Sequence, residues 1–262
     1  MSDNGRIEID KVTKIFHREG EDIETLTALD DVSLNIRPGE FVSIVGASGC
    51  GKSTMLRIIA GLETPTIGEV RKDGEVIRGT DETRGLVFQD HSLYPWLSVW
   101  DNITFGLRSL GRYKEKKEYA EQLLEMVGLT GFRNSYPSQL SGGMSQRIAL
   151  IRALVTEPDV LLLDEPLGAL DAFTRMNIQD VLIDLWRETK STMLLITHDV
   201  DEAIYLSQRV VVMTPRPGRI VDELEIEMSY PRERSHSQFV EYRNKILKKL
   251  NYAHEQSIGY YI

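Results

Sequence analysis

The sequence is poor in cysteine and has no long apolar runs. One cysteine in 262 residues cannot form an internal disulfide, which is typical of a protein in a reducing compartment. The longest apolar runs, such as Val160–Leu163 and Val210–Met213, have the length of a strand and fall short of the ~18–20 residues that a membrane helix needs. The N-terminal segment lacks the basic-then-apolar pattern of a signal peptide, so we expect a cytoplasmic protein.

The charge balance of the chain is acidic. The 31 basic and 40 acidic residues give a formal net charge of −9 at pH 7. Such a chain does not adhere broadly to DNA, RNA or anionic lipid, so we expect no nucleic-acid partner; a local basic pocket for phosphate is still compatible with it. The hydrophobic share of 41% is ordinary for a globular protein. The length fits one large domain or two small ones.

The pattern of apolar residues predicts an α/β fold. Up to about residue 90, alternating segments such as Ile7–Ile9 and Val32–Ile36 predict strands. The apolar strand Phe41–Val45 precedes a helix at Ser53–Ala60, and a second helix is expected over Lys114–Val127. From residue 160 strands and helices alternate, which is typical of a parallel sheet covered by helices. Further predicted segments are the hairpin strands Gly68–Arg71 and Glu75–Arg78, strand Val160–Leu163, helix Ala172–Lys190, strand Met193–Thr197, helix Asp201–Ser207, strand Arg209–Thr214 and, after a turn at 215–218, a last strand pair.

A glycine-rich loop follows the predicted strand Phe41–Val45. Residues 46–54, GASGCGKST, match the phosphate-loop pattern G-x-x-x-x-G-K-[ST] in its required place between a strand and a helix. The glycines let the backbone curl so that N–H groups point at phosphate oxygens, and the helix N-terminus favours an anion. Lys52 is expected to reach the β- and γ-phosphates of ATP, and Ser53 to bind Mg²⁺. The candidate nucleotide-binding residues here are Gly46, Ala47, Ser48, Gly49, Cys50, Gly51, Lys52, Ser53 and Thr54.

Cys50 lies inside this loop, and two interpretations of it stay open. It is a small residue that fills space, or it is a reactive thiol whose pKa is lowered by Lys52 and by the helix N-terminus. Alkylation that abolishes ATP hydrolysis and is prevented by ATP would favour the reactive thiol.

Polar residues also follow three other predicted strands, at the ends that face the crevice of a parallel sheet. Asp164 suits Mg²⁺ binding and Glu165 suits polarising the attacking water. His198 is expected to contact the γ-phosphate. Gln89, after strand Gly85–Phe88, has a side-chain oxygen that is expected to reach Mg²⁺ or the attacking water. Solvated strand ends and a structural histidine are the alternatives.

A second pair of glycines marks another helix start. In Leu140–Arg147, LSGGMSQR, Ser141 is a plausible N-cap of a helix that continues to Leu154. Gly142 and Gly143 leave backbone N–H groups open to an anion. The chain therefore binds two anions, or completes a site on another copy of itself with this helix end, or merely caps a helix there.

Together these motifs resemble those of ATP-binding cassette (ABC) proteins. The phosphate loop, Gln89, LSGGMSQR, LLLDEP at 161–166, Ala169-Leu170-Asp171 and His198 occur in the order and approximate spacing of that family, over residues 5–237. The resemblance implies a P-loop NTPase (RecA-like) core with an N-terminal antiparallel β subdomain. It also implies an inserted α-helical subdomain over about residues 90–156. Beyond the matched segment, we expect residues 238–262 to form a C-terminal helical extension.

The same resemblance implies ATP hydrolysis with Mg²⁺ in a head-to-tail dimer that holds two ATP molecules between its chains. It assigns catalysis to Glu165, His198 and Gln89, and Mg²⁺ binding to Ser53, Gln89 and Asp164. Each ATP would meet Lys52, Ser53, Gln89, Asp164, Glu165 and His198 of one chain and Ser141 and Gly143 of the other; Gly142, Asp171 and the adenine-stacking Phe16 complete the implied nucleotide site.

Three residues depart from the family pattern. Phe16 stands where tyrosine is commoner, Met144 where glutamine is usual and Gly168 where serine is usual. None of these changes removes a catalytic group. An ordinary place in the core is the alternative for Phe16.

The resemblance also implies a role in transport. The chain lacks the coiled coils of DNA-repair members and the second cassette of translation members, which favours a transporter subunit on the cytoplasmic face of the cell membrane. The aromatic segment Leu93–Trp100 lies where the family receives a helix of the membrane permease, with core packing as the alternative. Tyr94–Ile103 and Met213–Ile220 resemble importers of nitrate, sulfonates and taurine, which work with a substrate-binding protein. Another small cargo, such as a thiamine-precursor pyrimidine, and a soluble ABC ATPase acting on a cytoplasmic protein stay open.

The C-terminal tail is basic and amphipathic. Residues 231–254 hold six basic and two acidic residues. We expect a helix that packs on its own domain, with contact to a membrane surface as the alternative. The predicted apolar stripe consists of Phe239, Tyr242, Ile246, Leu247 and Leu250.

Overall fold

A computed structural model describes residues 4–18, 24–89, 93–168 and 170–258. It divides the chain into two compact units, the first formed by Met1–Asp81 with Thr192–Ile262 and the second by Glu82–Ser191. Ala169 of the predicted Ala169-Leu170-Asp171 motif, and the first residue of the segment predicted as a helical subdomain, lie outside the described residues. The predicted boundaries at 90, 156 and 237 remain predictions.

The elements alternate between strands and helices along most of the chain. In chain order they are β1 (Ile7–Arg18), β2 (Glu24–Ile36), β3 (Phe41–Val45), α1 (Lys52–Ala60), β4 (Ile67–Lys72), β5 (Glu75–Val76), β6 (Arg84–Val87), α2 (Val99–Ser109), α3 (Tyr113–Met126), α4 (Gly142–Leu154), β7 (Val160–Asp164), α5 (Ala172–Thr189), β8 (Thr192–Thr197), α6 (Val200–Leu206), β9 (Arg209–Met213), β10 (Ile220–Glu225) and α7 (Ser237–Ile258), with short 3₁₀ turns at Thr130–Phe132 and Pro137–Gln139.

The first unit contains an antiparallel sheet in the order β2-β1-β4-β5. Its apolar residues alternate with polar ones, and the apolar set that includes Ile7, Ile9 and Val12 is buried, as a sheet with one covered face requires. The turn at Asp73-Gly74 joins β4 to β5, so the predicted hairpin is confirmed.

A second sheet in the same unit carries the predicted phosphate loop. Strand β3 lies between β8 and β9, parallel to both, and β10 pairs antiparallel with β9. All residues of β3 and β8 are buried, which explains why these strands read as unbroken apolar runs. The expectation of a strand pair after the turn at 215–218 is wrong. Among the described residues one strand, β10, follows the turn, and it pairs with β9, the strand before the turn.

The second unit joins a parallel strand pair, β6 and β7, to helices α2 to α5. Helix α2 was absent from the sequence-based expectation, although its signals are local. Ser98 accepts a hydrogen bond from the N–H of Asp101, which is a regular N-cap. Val99, Ile103 and Leu107 repeat every four residues and are fully buried, as the apolar stripe of a helix is.

The C-terminal helix α7 packs on the first unit. Phe239 and Ile246 are fully buried in a cluster with residues of β3, α6 and β9, and Tyr242 and Leu250 pack at its edge. Four of the five stripe residues therefore face their own unit, as expected for a packed helix. Leu247 does not, because its side chain is exposed. Among the described residues, no helix is both long and apolar enough to cross a lipid bilayer.

Candidate functional site

The phosphate loop connects β3 to α1 and is shaped by its glycines. Gly49 has a φ of 73° and Gly51 a φ of 104°, in the left-handed region that side chains disfavour. A Cβ at Gly51 would lie 2.6 Å from the carbonyl oxygen of Ala28, well inside normal contact distance. The glycines therefore allow both the turn of the loop backbone and the close approach of the loop to β2.

Lys52 begins α1, and its ammonium folds back over the loop. The side chain is buried, and Nζ donates to the carbonyl oxygens of Gly46 at 2.8 Å and Ala47 at 3.0 Å. The first turn of α1 holds no acidic residue, so the positive end of the helix dipole is not neutralised from within. A lysine ammonium, a glycine-rich turn and a helix N-terminus thus meet at one point, which is a suitable site for phosphate oxygens.

Cys50 lies within this loop and is buried, with 1% of its surface exposed. Burial raises its pKa, and the nearby Lys52 and Arg216 charges oppose that shift without reversing it. The hypothesis of a reactive thiol with a lowered pKa is therefore wrong for this structure, because desolvation of the thiolate outweighs the two cations. The filling role is the one that fits.

His198 lies at the same edge of the sheet as the phosphate loop. Strands β3 and β8 are parallel, and Val45 is paired with Thr197, so Gly46 and His198 follow adjacent strand ends. His198 is exposed. The next residue, Asp199, accepts hydrogen bonds from the N–H groups of residues 201 and 202 and so caps α6.

The second unit places Gln89 beside the acidic pair. Val87 of β6 is paired with Leu163 of β7 in parallel strands. Gln89 and Glu165 each lie two residues beyond this pair, so both follow the same edge of the strand pair. Asp164 is the buried last residue of β7. Glu165 has a φ of 44°, a conformation that costs about 1–3 kcal/mol and is found mostly at functional sites.

The helix start at the second glycine pair is capped as predicted. The Ser141 hydroxyl accepts a hydrogen bond from the N–H of Met144 at 3.3 Å, and Gly142 is exposed. Gly143 is buried, and a Cβ there would lie 2.2 Å from Cγ2 of Thr174 in α5. Glycine at 143 therefore permits the close packing of α4 on α5.

Asp171 caps the neighbouring helix α5. Its Oδ1 accepts from the N–H of Thr174 at 3.0 Å and its Oδ2 from the Thr174 hydroxyl at 2.6 Å. These hydrogen bonds, chiefly that of the hydroxyl, lower the pKa of Asp171. Because both carboxylate oxygens already accept within the helix cap, the structure gives Asp171 a structural task; its predicted contact with nucleotide remains a prediction.

Phe16 lies on β1, paired with Leu26. It is half-buried and does not belong to the buried core, and the Lys14 ammonium lies 4.9 Å from its ring centroid. Part of the ring is therefore accessible, as stacking on an adenine requires. The stacking itself remains a prediction.

The predicted permease segment divides into a core part and an exposed part. Val99 and Trp100 are buried, and the Arg133 guanidinium lies 3.6 Å from the Trp100 ring centroid, so these two residues belong to the core. Trp96, by contrast, is 71% exposed. The ring of Tyr94 lies 5.6 Å from that of Trp96 and 4.8 Å from that of the exposed Phe105. We call Tyr94, Trp96 and Phe105 the aromatic surface.

Apart from Phe16 on β1, the predicted site residues fall into three groups, each within one unit. The loop residues and His198 share a sheet edge in the first unit; Gln89, Asp164 and Glu165 share one in the second; Ser141, Gly142, Gly143 and Asp171 lie at two adjoining helix starts in the second. Within the described ranges no group of three or more His, Cys, Asp or Glu side chains is arranged to hold a metal ion. One residue at the loop, Arg216, was missed as a site residue, because the sequence indicated only a turn and a family resemblance for its segment.

Comparison with known proteins gives one consistent family. A profile of the family described as ABC transporter matches residues 29–168. The chain is 48% identical over 246 residues to an uncharacterised ABC transporter ATP-binding protein of Methanocaldococcus jannaschii, covering 94% of this chain and 91% of that protein. It is 45% identical over 236 residues to the aliphatic sulfonates import ATP-binding protein SsuB of Bacillus subtilis, covering 90% of this chain and 91% of that protein.

Solved structures agree. A dimeric ATP-binding cassette in a post-hydrolysis state, bound to ADP and Pi, is 36% identical, with a TM-score of 0.73 over 85% of this chain and all of that one. A second dimeric structure of a bacterial ABC transporter cassette is 37% identical, with a TM-score of 0.74 over the same shares. The predicted fold class, a P-loop NTPase core with antiparallel and helical additions, is confirmed.

Proposed function

The chain belongs to the ABC transporter family, and from that premise we propose that it is the ATP-hydrolysing subunit of an importer for a small anion such as an aliphatic sulfonate, taurine or nitrate. The observation that carries the choice of cargo class is the similarity, at 44–48% identity over 84–94% of this chain, to relatives most of which are named for aliphatic sulfonate import. We infer that a permease supplies the membrane path, and that a substrate-binding protein delivers the anion to it.

Two other functions remain as alternatives. The same cassette would serve a permease for another small molecule, for example a thiamine-precursor pyrimidine, because the cargo does not pass through this subunit. A soluble ABC ATPase acting on a cytoplasmic protein would need no permease. Co-purification of a hydrophobic membrane subunit with this chain would support an importer and argue against a soluble ABC ATPase.

In the proposed reaction the loop binds the phosphates of ATP. The N–H groups of the loop and the N-terminus of α1 face anionic oxygens, and the Lys52 ammonium exchanges its carbonyl partners for the β- and γ-phosphates. Glu165 orients and polarises the attacking water, and its constrained backbone limits where its carboxylate points. His198, at the sheet edge next to the loop, contacts the γ-phosphate as its charge develops.

The residues proposed for Mg²⁺ fit that ion. Ser53, Gln89 and Asp164 offer a hydroxyl, an amide oxygen and a carboxylate, which are the hard oxygen ligands that Mg²⁺ prefers. An ion that keeps several waters and takes further oxygens from phosphates needs only a few protein ligands. Bound Mg²⁺ would neutralise charge on the phosphates.

We propose that two copies act together, head to tail. Supporting this, the two related cassettes at 36–37% identity are dimers. The capped start of α4, with Ser141 exposed and Gly142 beside it, would then complete the nucleotide site of the other copy. Two helix N-termini, one from each chain, would in that case face the same triphosphate.

The aromatic surface is the proposed contact with the permease, on the cytoplasmic face of the cell membrane. Exposed aromatic rings that pack on one another make strong anchors at protein interfaces. Replacing Trp96 by alanine is expected to reduce retention of the permease on the tagged chain. Ile67, 60% exposed on β4, is the matched control, because Ile67→Ala removes a similar exposed apolar group outside the aromatic surface. Equal retention by both variants would argue against this contact.

The cargo is tested by transport. The tagged chain is purified with its permease, reconstituted into vesicles with ATP on the side of the cassette, and supplied with the binding protein and labelled ethanesulfonate, taurine, nitrate or a pyrimidine. ATP-dependent uptake of one of the three anions is expected. Uptake of the pyrimidine alone, or of none in vesicles that hydrolyse ATP, would contradict the proposed cargo class.

A further inference from the structure

The turn between β9 and β10 lies directly against the phosphate loop. The guanidinium of Arg216 donates two hydrogen bonds to the carbonyl oxygen of Gly49, from Nε at 3.0 Å and from Nη2 at 2.9 Å. The two residues are 167 positions apart in sequence. This is a contact made by a rigid, planar donor pair to one particular peptide group of the loop.

That peptide is held from both sides. The N–H of Cys50, in the same peptide unit, donates to the carbonyl oxygen of Ala47 at 3.3 Å. In a planar trans peptide the C=O and N–H point in opposite directions, so by holding the Gly49 carbonyl Arg216 fixes the direction of both groups of this peptide. A rotation of this peptide changes ψ of Gly49 and φ of Cys50, and Gly49, which has no Cβ, restricts its share of that rotation less than another residue would.

The turn that carries Arg216 is itself fixed in place. Gly218 donates its N–H to the carbonyl oxygen of Ala28 at 3.0 Å, and its own carbonyl accepts from Asp30 at 3.0 Å. A Cβ at Gly218 would lie 2.1 Å from the carbonyl oxygen of Cys50, so the turn touches the loop backbone. Within the turn, the Thr214 hydroxyl donates to the carbonyl oxygen of Pro217 at 2.8 Å.

We propose that Arg216 is a positioning residue for the phosphate loop. It holds the Gly49–Cys50 peptide in the orientation that keeps a carbonyl oxygen out of the anion site, so that the loop is preformed for the β-phosphate. The inference rests on the proposed function in so far as the anion is the phosphate of ATP or ADP. Loss of this support lowers the fraction of loops that are ready to bind and weakens apparent affinity by that fraction.

The test compares two arginines of the same turn. Arg216→Met removes the donor pair and keeps the apolar stem. Arg219→Met removes the same charge from a neighbouring exposed arginine whose guanidinium pairs with Asp30, away from the loop. We expect Arg216→Met to weaken binding of a fluorescent ADP by about 10-fold, Arg216→Lys to recover part of that loss through a single donor, and Arg219→Met to stay within 2-fold of wild type.

Hydrogen exchange supplies the readout that does not depend on nucleotide. In Arg216→Met, amides of residues 46–52 are expected to exchange faster while the remainder of the chain and the urea midpoint stay unchanged; Arg219→Met should leave the loop amides as they are. Unchanged loop exchange in Arg216→Met, or equal ADP weakening by the Arg216 and Arg219 variants, would overturn the proposal. A wild-type chain that binds neither ADP nor ATP would refute the proposed function instead, and the exchange comparison would still decide the role of Arg216.

Discussion

Adding one methyl group at Gly143 is expected to disturb the start of α4 in a predictable way. The alanine Cβ would lie 2.2 Å from Cγ2 of Thr174, whereas two carbon atoms in contact prefer about 3.5–4.0 Å. Roughly 1.5 Å of separation must therefore be created. Either α4 moves away from α5, or the Thr174 side chain rotates and gives up its 2.6 Å hydrogen bond to Asp171.

The expected magnitude combines two opposing effects. Overpacking of this kind costs about 1–3 kcal/mol. Alanine in place of glycine within a helix returns up to about 1 kcal/mol. We therefore expect Gly143→Ala to lower the free energy of unfolding by about 1–2 kcal/mol, measured by urea titration, and to reduce ATP hydrolysis because Ser141 moves with the helix start.

A second substitution isolates the cause. Thr174→Ser deletes Cγ2 and keeps the hydroxyl that binds Asp171. The next-nearest atoms to the added Cβ, Thr174 Cβ at 3.6 Å and Oγ1 at 3.8 Å, are at ordinary contact distance. The double variant is therefore expected to be more stable than the sum of the two single changes by about 1–2 kcal/mol, and to recover hydrolysis.

Two results would contradict a steric clash between the added Cβ and Thr174. One is a Gly143→Ala chain as stable as wild type, which would mean that α4 and α5 separate at no cost. The other is strict additivity in the double variant, which would mean that Thr174 is not the obstacle. The hydrolysis readout is separate, since a stable double variant that stays inactive would argue against the start of α4 as part of the nucleotide site.

Two further predictions concern stability. Arg232 is buried and donates to the carbonyl oxygens of Ile204, Ser207, Ile226 and Met228. Arg232→Met leaves these acceptors unpaired and is expected to lower the free energy of unfolding in urea by about 2–4 kcal/mol, whereas the exposed control variant Lys245→Met should stay within about 0.5 kcal/mol of wild type. An equal, small loss in both variants would contradict a stabilising role for the Arg232 hydrogen bonds. Burial raises the pKa of Tyr119 to about 12, above its ordinary value of about 10, so the folded chain keeps the phenol proton longer than the unfolded chain and loses stability as pH rises from 10 to 12. Because the side chain is only partly buried, we expect solvent screening to limit this loss to about 1 kcal/mol. Tyr119→Phe should lack that part of the fall, and identical slopes for the two chains would contradict it.

The sequence predicted those strands and helix caps that depend mainly on residues close together in the chain. The buried strand Phe41–Val45 was predicted with its observed bounds, since a short apolar run between turn signals is typical of a buried strand. The cap at Ser141 was found because a serine before two glycines and a helical stretch satisfies backbone donors on its own. Helix α2 was missed although its cap at Ser98 is equally local, because the aromatic residues around it were interpreted as an interface.

Contacts between distant segments lay beyond the reach of the sequence. Nothing near Arg216 in the chain indicates that its guanidinium meets Gly49, and nothing near Gly143 indicates Thr174. The division of the aromatic segment into buried Trp100 and exposed Trp96 likewise depends on which face of α2 the tertiary fold covers. For Cys50, the neighbouring lysine was visible in the sequence, but the burial that raises the thiol pKa was not.

Glu165→Gln with Mg²⁺-ATP, studied by analytical ultracentrifugation and a phosphate-release assay, tests the proposed role of Glu165 and the proposed dimer together. We expect a dimer that retains two ATP molecules and releases phosphate far more slowly than wild type, because the carboxylate that polarises the attacking water is gone while the binding groups remain. Hydrolysis at the wild-type rate by this variant would show that Glu165 is not the residue that polarises the water.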